Sequence, residues 1–322
     1  MASKPSVYVV TGVAGFIGSH IAHTLLNQGA TVVGLDNFAS GFKPTIDFLK
    51  NASSSPDQFT FIEGDIRDLE TCQRVVSGAD YVLHQAALGS VPRSMTEPAL
   101  YHDNNLTGTF NMLFAARDAK VKRFVFASSS SVYGDTLVLP KVETMIGTPK
   151  SPYALTKWVG EGYCRLFWDC YSLPTIALRY FNVFGARQNP NSQYAAVIPL
   201  FTKAGLANTP AQIHGDGGQT RDFTYIDNVV KANLAACHAD QSWFGQAFNI
   251  GCGVHISVGE LAQKIKGLTG STADPVHTPS RPGDVRDSLA DVRKSIDAGL
   301  VQDPIPLDEG LASTVNWYRS HR

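Results

Sequence analysis

The sequence has no excess of charge of either sign and no long run of like charges. Its 322 residues include 27 Lys and Arg and 28 Asp and Glu, which leaves a formal net charge of -1. A balanced surface gives no general attraction to nucleic acid or to anionic membranes, so we expect neither as a partner. The sequence also contains no apolar stretch of the ~20 residues needed to span a bilayer.

The sequence is equally poor in the signals of export, disulfides and metals. Residues 1–10 lack the longer apolar segment and small-residue cleavage site of a secretory leader. The five cysteines show no Cys-x-x-Cys spacing, which argues against a disulfide framework or a zinc site and fits a reducing cytoplasm. His20 and His23 have a metal-compatible spacing, but no Cys or carboxylate partner is evident nearby. We therefore expect a soluble, cytoplasmic protein without a metal site.

What the sequence does contain is an alternation of short apolar β-rich runs with amphipathic segments. The β-rich runs lie at residues 6–11, 31–35, 59–62, 81–83, 123–127 and 175–178. Two helical stripes are formed by Ile17, Ile21, Leu25 and Leu26 and by Leu106, Phe110, Leu113 and Phe114. Continuously apolar strands that alternate with helices are typical of a parallel sheet covered on both faces. The sequence therefore predicts an α/β fold, a doubly wound parallel sheet of the Rossmann type, up to about Tyr180.

After residue 184 the pattern loosens. Polar, glycine-rich stretches predict loops at 185–193 and 214–219, a strand is expected at Gln246–Ile250, and helices are expected at 258–268 and 309–319. We predict a first unit made of residues 1–181 plus 222–253, and a smaller, partly discontinuous α/β unit made of 182–221 plus 254–322. The short connections between them indicate one shared cleft.

A glycine-rich turn joins the first predicted strand to the first predicted helix, and residues 11–18 read T-G-V-A-G-F-I-G. Gly12 can form the tight turn, Gly15 lets the backbone approach a pyrophosphate, and Gly18 lets the helix pack on the strand. The helix N-terminus offers free N–H groups and the positive end of its dipole to phosphates. Asp36 closes the second strand, where a carboxylate can hold a ribose 2′-hydroxyl and repel a 2′-phosphate. This context predicts dinucleotide binding, with NAD favoured over NADP.

A tyrosine and a lysine stand one helical turn apart in the predicted helix Pro152–Tyr171. The spacing of Tyr153 and Lys157 puts both side chains on the same helix face. A phenol has a reference pKa of ~10, and a nearby ammonium and a positive nicotinamide ring would both stabilise its phenolate. The pair follows a strand that ends in the four serines 128–131, at the sheet edge where ligands bind. We predict that these groups form a redox site.

These segments together resemble the extended short-chain dehydrogenase/reductase family and, within it, the nucleotide-sugar 4-epimerases. The resemblance covers essentially the whole chain. The matching segments are T-G-V-A-G-F-I-G-S at 11–19, G-D-I-R-D at 64–68, H-Q-A-A-L-G-S-V-P-R-S at 84–94, D-N-N at 103–105, S-S-S-S-V-Y-G at 128–134, S-P-Y-A-L-T-K at 151–157, L-R-Y-F-N-V-F-G at 178–185, T-R-D-F at 220–223 and R-P-G-D-V-R-D-S at 281–288.

The resemblance implies a role for each matching residue. Tyr153 would take the proton of the sugar's 4-hydroxyl, Lys157 would bind the nicotinamide ribose and tune the tyrosine, and Ser129 would hydrogen-bond the same oxygen. Counting back from Tyr133 selects Ser129 for this role. Because four serines follow one another, a neighbouring serine of 128–131 could take the role instead. The residues implied to bind NAD are Gly12, Gly15, Phe16, Ile17, Gly18, Asp36, Asn37, Asp65, Ile66, Gln85, Ala86, Ala87, Asn104, Tyr153, Lys157 and Tyr180. The residues implied to bind a UDP-sugar are Gly89, Ser129, Ser130, Asn182, Gln188, Ala196, Val197, Arg221, Arg281, Asp284 and Ser288.

The implied reaction inverts C4 of the sugar. Hydride leaves C4 for NAD, the 4-keto sugar swings about its diphosphate link, and hydride returns to the opposite face. Related 4,6-dehydratases carry an Asp-Glu pair before V-Y-G, and related decarboxylases carry a glutamate there. Ser130 and Ser131 stand in that place, which favours epimerisation. The resemblance also implies a homodimer through the helices around 106–114 and 152–171.

The sugar itself is a finer question. The sequence resembles bacterial epimerases that interconvert UDP-N-acetylglucosamine and UDP-N-acetylgalactosamine. Ser288 is small and would leave room for a 2-acetamido group. A tyrosine in its place would overpack the pocket, at a free-energy cost of about 1–3 kcal/mol. UDP-glucose and UDP-galactose remain alternatives. UDP-glucuronate is another, with Arg187 or Arg93 as its cation, although Asn182 resembles the neutral-sugar group. A non-catalytic NAD-binding sensor is the last alternative, but such proteins usually lose the tyrosine–lysine pair.

Overall fold

The computed structural model describes residues 5–145, 147–191, 196–279 and 286–321. Its strands are β1 (Val7–Thr11), β2 (Thr31–Asp36), β3 (Phe59–Glu63), β4 (Tyr81–His84), β5 (Arg123–Ser129), β6 (Thr175–Tyr180), β7 (Val183–Phe184), β8 (Gln212–His214), β9 (Thr220–Arg221), β10 (Thr224–Tyr225), β11 (Gln246–Ile250), β12 (Ile256–Ser257) and β13 (Val276–Thr278). Its α-helices are α1 (Phe16–Asn27), α2 (Lys43–Ala52), α3 (Leu69–Val76), α4 (Val91–Thr96), α5 (Pro98–Tyr101), α6 (Gly108–Asp118), α7 (Pro152–Tyr171), α8 (Val197–Leu206), α9 (Ile226–Cys237), α10 (Val258–Thr269), α11 (Arg293–Asp297) and α12 (Leu307–Ser320). A π-helix spans His102–Thr107, and short 3-10 helices span Ser130–Tyr133 and Gln241–Trp243.

The main sheet is parallel throughout, with the strand order β11-β6-β5-β4-β1-β2-β3. The chain runs outward from β1 to β3 and then returns to place β4 on the other side of β1. Ligands of open α/β sheets bind at the carboxyl ends of the strands, beside such a reversal. The predicted α/β fold with a doubly wound parallel sheet is confirmed.

The strands are apolar on both faces because helices cover both. Val9, Val82 and Phe124 pack in the cluster that includes the buried sides of α3, α6 and α7. Val10 and Leu83, the next residues along two of these strands, pack in the cluster that includes α1 and α9. Successive side chains of a strand point to opposite faces, so a continuous apolar run fills both layers.

One predicted helical stripe differs from the structure. Leu106 lies in the π-helix that precedes α6, and Phe110 is 39% exposed. The wider π turn changes the phase of the residues that follow it, so the buried side of α6 is formed by Met112, Leu113 and their neighbours instead. Helix α8 was not predicted, because its run V-I-P-L-F has no polar face to reveal a helical period.

The rest of the chain forms small sheets and helices beside the carboxyl ends of the main sheet. Strand β8 pairs with β13 in parallel and β9 pairs with β12 in antiparallel, while α10 packs against α8 and α12. Strand β7 pairs with β10, although the two lie in different units of the predicted division. The division of the chain into these two units remains a prediction. Among the described residues, no helix combines the length and apolar character that crossing a membrane requires.

Candidate active site

A large cleft opens at the carboxyl ends of the central strands. Its volume is about 1860 Å³, well above the roughly 300–1,000 Å³ of a pocket for one small ligand. Its wall includes the glycine-rich turn, the end of β2, residues 85–90 after β4, the serine turn (residues 128–133) after β5, and the end of β6. The cleft therefore has room for a dinucleotide and a second ligand.

The glycine-rich turn is packed too closely for side chains at two of its glycines. Gly12 has φ +66°, and a Cβ there would lie 2.9 Å from the Ala86 nitrogen. A Cβ at Gly18 would lie 2.2 Å from the Gly12 carbonyl oxygen. Gly15 is the N-cap of α1, and no side chain caps the helix. The open backbone and the positive helix end fit the pyrophosphate of a dinucleotide.

Asp36 holds the loop after β2 against the glycine-rich turn. Its carboxylate accepts hydrogen bonds from Ala14 N at 2.9 Å and Phe38 N at 2.8 Å. Burial raises the pKa of Asp36, and these backbone N–H groups oppose that rise. A carboxylate has about four acceptor positions, so these two bonds leave acceptor capacity for a ribose hydroxyl.

Asn37 and Asp65 are joined at the rim of the cleft. Asn37 Nδ2 donates to Asp65 Oδ2 at 2.8 Å, and Arg67 forms an ion pair with the same carboxylate at 2.8 Å. The Arg67 hydrogen bonds lower the pKa of Asp65 to about 2. Asn37 and Ile66 line the cleft whereas Asp65 does not, so Asp65 supports the cleft wall through Asn37.

Helix α7 begins where its sequence provides a start signal. Ser151 caps the helix by accepting from Ala154 N at 3.1 Å, and Pro152 occupies the first position. This start places Tyr153 in the first turn, at the cleft wall. Burial raises the pKa of the Tyr153 phenol, and a hydrogen bond with Ser129 opposes that rise.

Lys157 lies behind Tyr153 rather than on the cleft wall. Its Nζ donates to Ala127 O at 2.6 Å and is 6.0 Å from the centre of the Tyr153 ring. Burial lowers the pKa of Lys157 to about 8. The site therefore combines the Tyr153 phenol, the Ser129 hydroxyl that hydrogen-bonds it and the buried Lys157 ammonium. Together these groups can move a proton at a substrate oxygen.

The four serines have different partners. Ser128 Oγ donates a short hydrogen bond to Glu161 Oε1, on the side of the sheet covered by α7. Ser129 contacts Tyr153 and also accepts from Ser131 N at 3.1 Å. Ser130 lines the cleft, and the buried Ser131 Oγ has no hydrogen-bond partner among the described residues. Of the four, Ser129 is the one next to the phenol.

Tyr180, Gln85 and Asn233 form a buried network at the end of β6. The Tyr180 hydroxyl donates to Gln85 Oε1 at 3.0 Å and accepts from Asn233 Nδ2 at 2.8 Å. Gln85 Nε2 donates to Asn233 Oδ1 at 3.0 Å. Burial raises the pKa of Tyr180, so this phenol stays neutral and serves as a hydrogen-bonding group. Asn233 was not predicted, because no motif contains it.

Asn105 also belongs to the site without having been assigned a role. Its side chain accepts from Leu88 N at 2.8 Å and donates to Leu88 O at 3.0 Å. These bonds fasten the segment that carries the predicted residues Ala86, Ala87 and Gly89. The D-N-N match contained this signal, and the other asparagine of that match, Asn104, lines the cleft.

Most of the residues predicted to bind substrate line the same cleft. They are Gly89, Ser129, Ser130, Asn182, Gln188, Arg221 and Ser288. Gly89 has no heavy atom within 4 Å of the position of a Cβ. Gln188 Nε2 donates to Val183 O at 3.1 Å, whereas its buried Oε1 has no partner among the described residues. The cleft therefore has open space beside Gly89 and an available hydrogen-bond acceptor in the Oε1 atom of Gln188.

Ala196 and Val197 line a smaller neighbouring pocket of about 250 Å³, which shares Asn182 and Arg221 with the cleft. The other side chains of this pocket include Phe184, Phe201, Gln212, His214, Gln219 and Phe223. None of these side chains was predicted, because they come from several elements that share no local motif. Aromatic faces and amide groups in a small pocket suit a planar heterocyclic base. The predicted residues Arg281 and Asp284, and residues 192–195, lie outside the described part of the chain.

Within the described ranges, no group of three or more His, Cys, Asp or Glu side chains could hold a metal ion. His20 instead hydrogen-bonds Phe16 O at 2.9 Å, and burial lowers its pKa to about 3.

The chain resembles known sugar-nucleotide enzymes over nearly its full length. It is 38% identical over 315 residues to a putative UDP-glucose 4-epimerase of Methanocaldococcus jannaschii, covering 97% of this chain and 98% of that protein. The UDP-N-acetylglucosamine 4-epimerase of Methanobrevibacter ruminantium M1, solved with UDP-N-acetylmuramic acid, superimposes with a TM-score of 0.91 at 36% identity, covering 99% and 100% of the two chains.

The UDP-glucose 4-epimerase of Thermotoga maritima, solved with UDP-glucose, also superimposes with a TM-score of 0.91 at 36% identity, covering 98% and 99% of the chains. Residues 8–251 match the model of the NAD dependent epimerase/dehydratase family. That match includes residues of every strand of the main sheet, from β1 to β11, and both Tyr153 and Lys157. The predicted cofactor, NAD, is the cofactor of this family, and the chain belongs to the NAD dependent epimerase/dehydratase family.

Proposed function

We propose that this protein is a UDP-hexose 4-epimerase that prefers UDP-N-acetylglucosamine and UDP-N-acetylgalactosamine. The observation that carries the proposal is the Tyr153 hydroxyl, which meets Ser129 in the same cleft as the glycine-rich turn. A base beside a dinucleotide site supports interconversion of an alcohol and a ketone. Ser130 and Ser131 provide no carboxylate there, which supports epimerisation over dehydration or decarboxylation.

In the proposed mechanism Tyr153 accepts the proton of the sugar's 4-hydroxyl while Ser129 hydrogen-bonds the same oxygen. Before this transfer Tyr153 is a phenolate, which the Lys157 ammonium stabilises against its burial, and after the transfer it is a neutral phenol. Bound NAD would supply the hydride acceptor for C4 and then the hydride donor for the opposite face of the ring. Tyr153 then returns the proton to O4, so the protein ends the cycle in its starting state.

The nucleotide anchor is proposed to lie in the smaller pocket and at its junction with the cleft. Asn182, Ala196 and Val197 line that pocket, and Arg221 lines both cavities. A guanidinium group matches the oxygens of a diphosphate, and we propose that Arg281 and Asp284 complete the anchor. A fixed diphosphate keeps the keto sugar in the cleft while its ring turns over.

The preference for an acetylated sugar is supported by the space at the hexose end of the cleft. Gly89 has open space at its Cβ position, and Ser288 is a small, buried side chain. The unpaired Oε1 of Gln188 can accept a hydrogen bond from a sugar N–H or O–H group. Of the two cations considered for a uronate, Arg93 pairs with Glu97 at 2.9 Å. Arg187 lies 4.6 Å over the Phe48 ring, and its buried Nε and Nη2 have no hydrogen-bond partner among the described residues. Both line the cleft, so UDP-glucuronate stays an alternative substrate.

The test is a side-by-side assay of UDP-N-acetylglucosamine and UDP-glucose, with the products separated by anion exchange and identified by proton NMR. We expect C4 inversion of both, with at least about tenfold higher kcat/KM for the acetylated sugar. Equal or better turnover of UDP-glucose would remove the sugar preference and leave the epimerase proposal standing. No C4 inversion of either sugar would refute the proposal and direct attention to UDP-glucuronate or to a sensor.

A substitution at the hexose end tests the origin of the preference. Ser288→Tyr should lower kcat/KM for UDP-N-acetylglucosamine by about tenfold or more, because overpacking costs about 1–3 kcal/mol. Turnover of UDP-glucose should change much less. The matched control is Ser55→Tyr at an exposed loop position, which should leave both values unchanged. An equal loss for both sugars would contradict a role in acetamido recognition.

We also propose a homodimer in the cytoplasm. Phe110 on α6 and Leu155, Trp158 and Leu166 on α7 are large apolar side chains exposed on adjacent helices. An exposed apolar patch of this kind is typical of a protein–protein interface. The five cysteines are all free, which supports a reducing compartment.

A further inference from the structure

A buried ion pair lies beneath the serine turn and has no part in the mechanism above. Arg179 on β6 donates to Glu161 on α7 through Nε at 2.9 Å and through Nη2 at 2.7 Å. The two side chains are only 7% and 9% exposed. Burying two charges costs about as much free energy as their attraction returns, so net stability alone gives little reason for the pair. Its contacts suggest another role.

The first of these contacts holds the beginning of the serine turn. Ser128 Oγ donates to Glu161 Oε1. Ser128 and Arg179 are also direct partners in the β5–β6 ladder, so their side chains leave the sheet on the same face. One carboxylate therefore binds both the last buried serine of β5 and the arginine beside it.

The second contact holds the end of the turn. Arg179 Nη1 donates to the Tyr133 hydroxyl at 2.9 Å, and that hydroxyl donates to Asn249 Oδ1 at 2.6 Å. Asn249 is itself held, because its Nδ2 donates to Lys141 O at 2.8 Å. Tyr133 is the last residue of the 3-10 helix that follows β5, so both ends of the turn are tied to Arg179 and Glu161.

The third relation is the register of α7. Tyr153, Lys157 and Glu161 follow one another at intervals of one helical turn and lie on one face of the helix. Tyr153 meets Ser129, Lys157 binds Ala127 O, and Glu161 binds Ser128. The same helix face therefore carries the proposed base and the anchor of the turn that the base must meet.

We propose that the Glu161–Arg179 pair positions the serine turn, holding both its ends so that the Ser129 hydroxyl stays in contact with Tyr153. Glu161, Arg179, Ser128 and Tyr133 are thus positioning residues that act through Ser129. This inference rests on the proposed function, because the contact between Ser129 and Tyr153 is where that function places the proton transfer.

The test removes single hydroxyls and leaves the ion pair in place. Tyr133→Phe and Ser128→Ala should each lower kcat by about tenfold, while KM for the UDP-sugar stays within about twofold. Ser128→Thr, which keeps the hydroxyl, should restore most of the activity. The matched control is Thr175→Val, which removes a buried hydroxyl bond between the same strand and helix at the far end of β6; it should lower stability but leave kcat unchanged.

A double-mutant cycle then separates positioning from general damage. In a Ser129→Ala background, Tyr133→Phe should cause no further loss of kcat. The Ser129 hydroxyl, through which Tyr133 is proposed to act, is already absent there. The same loss in both backgrounds, or an unchanged kcat in Tyr133→Phe, would overturn the proposal.

A readout that does not depend on activity is the hydrogen exchange of the backbone of residues 128–134 in the NAD-loaded protein. Exchange should be faster in Tyr133→Phe and Ser128→Ala than in the wild type, and unchanged in Thr175→Val. A wild type that inverts no UDP-sugar would refute the proposed function, while the exchange measurement would still test the anchoring. Unchanged exchange in both variants would overturn the anchoring itself.

Discussion

At the scale of single residues, the proposed active site contains a buried ammonium group, whose burial costs folding free energy. Lys157 is buried, and its Nζ has the Ala127 carbonyl oxygen as its hydrogen-bond acceptor. Burial lowers the lysine pKa from 10.5 to about 8, against the partial support of Glu161. At roughly 1.4 kcal/mol for each pKa unit, the charged form costs about 3 kcal/mol of folding free energy. The same ammonium is the group that we propose stabilises a phenolate at Tyr153.

Lys157→Met should therefore be more stable than the wild type and nearly inactive. Near pH 7 the lysine is charged in both the folded and the unfolded protein, so replacing it removes the burial cost. Allowing for the lost hydrogen bond, we expect a gain of about 1–3 kcal/mol, with kcat lowered by about a hundredfold or more. Urea unfolding of the NAD-free protein and an epimerisation assay would measure the two effects.

The pH dependence of that stability gain has a definite sign. Between about pH 8 and 10.5 the folded wild type releases the Lys157 proton while the unfolded chain keeps it. Wild-type stability therefore rises with pH relative to Lys157→Met, and the gap closes. Lys264→Met, at an exposed lysine paired with Asp308, should change stability by less than about 0.5 kcal/mol. A Lys157→Met protein that is less stable than the wild type at every pH would contradict the burial cost.

At the scale of elements, the glycine-rich turn decides where α1 sits on β1. The Gly12 carbonyl oxygen would lie 2.2 Å from a Cβ at Gly18, so the first turn of the helix rests directly on the loop backbone. The contact involves backbone atoms only, and no flexible side chain can move aside. The N–H groups proposed to bind pyrophosphate take their positions from the same contact.

Gly18→Ala should push α1 away from the turn. We expect a loss of stability of about 1–3 kcal/mol, as for other overpacked positions, together with a clear fall in the NAD content of the purified protein. The control is Gly267→Ala in α10, where a Cβ meets no atom within 4 Å and alanine should add up to about 1 kcal/mol. Normal NAD content in Gly18→Ala would show that the turn tolerates the displacement.

At the scale of the whole molecule, we propose that one face of α7 serves the chemistry and another contacts a second copy of the chain. Tyr153, Lys157 and Glu161 face the sheet, whereas Leu155, Trp158 and Leu166 are exposed. If the exposed side is a dimer interface, dimerisation also restrains the helix that carries the proposed base.

Trp158→Glu should therefore yield a monomer, because a charge placed in an apolar interface loses its solvation without a partner. Size-exclusion chromatography with light scattering would give the mass, to be compared with twice the 34.8 kDa of one chain. Ile296→Glu, at an exposed apolar position on α11, should leave the mass unchanged. A wild type that already runs as a monomer would contradict the proposed dimer.

The sequence by itself determined the features that depend on neighbours along the chain. Apolar strands that alternate with helices predicted the parallel sheet, the spacing of Gly12, Gly15 and Gly18 predicted the dinucleotide turn, and one helical turn joined Tyr153 to Lys157. Each is a local pattern with a period set by backbone geometry. The same reasoning missed α8, whose apolar run shows no period, and the π-helix, which changes the phase of the helix after it.

Only the tertiary structure decided which serine meets Tyr153, because four identical residues carry no distinguishing pattern. In our proposal that choice depends on Glu161 of α7, which binds Ser128, and on Arg179 of β6, which binds Glu161. Likewise, Asn233 reaches Gln85 across 148 positions of sequence, and Asn249 reaches Tyr133 across 116. Such contacts depend on strand order and helix packing, so a pattern read along the chain cannot reveal them.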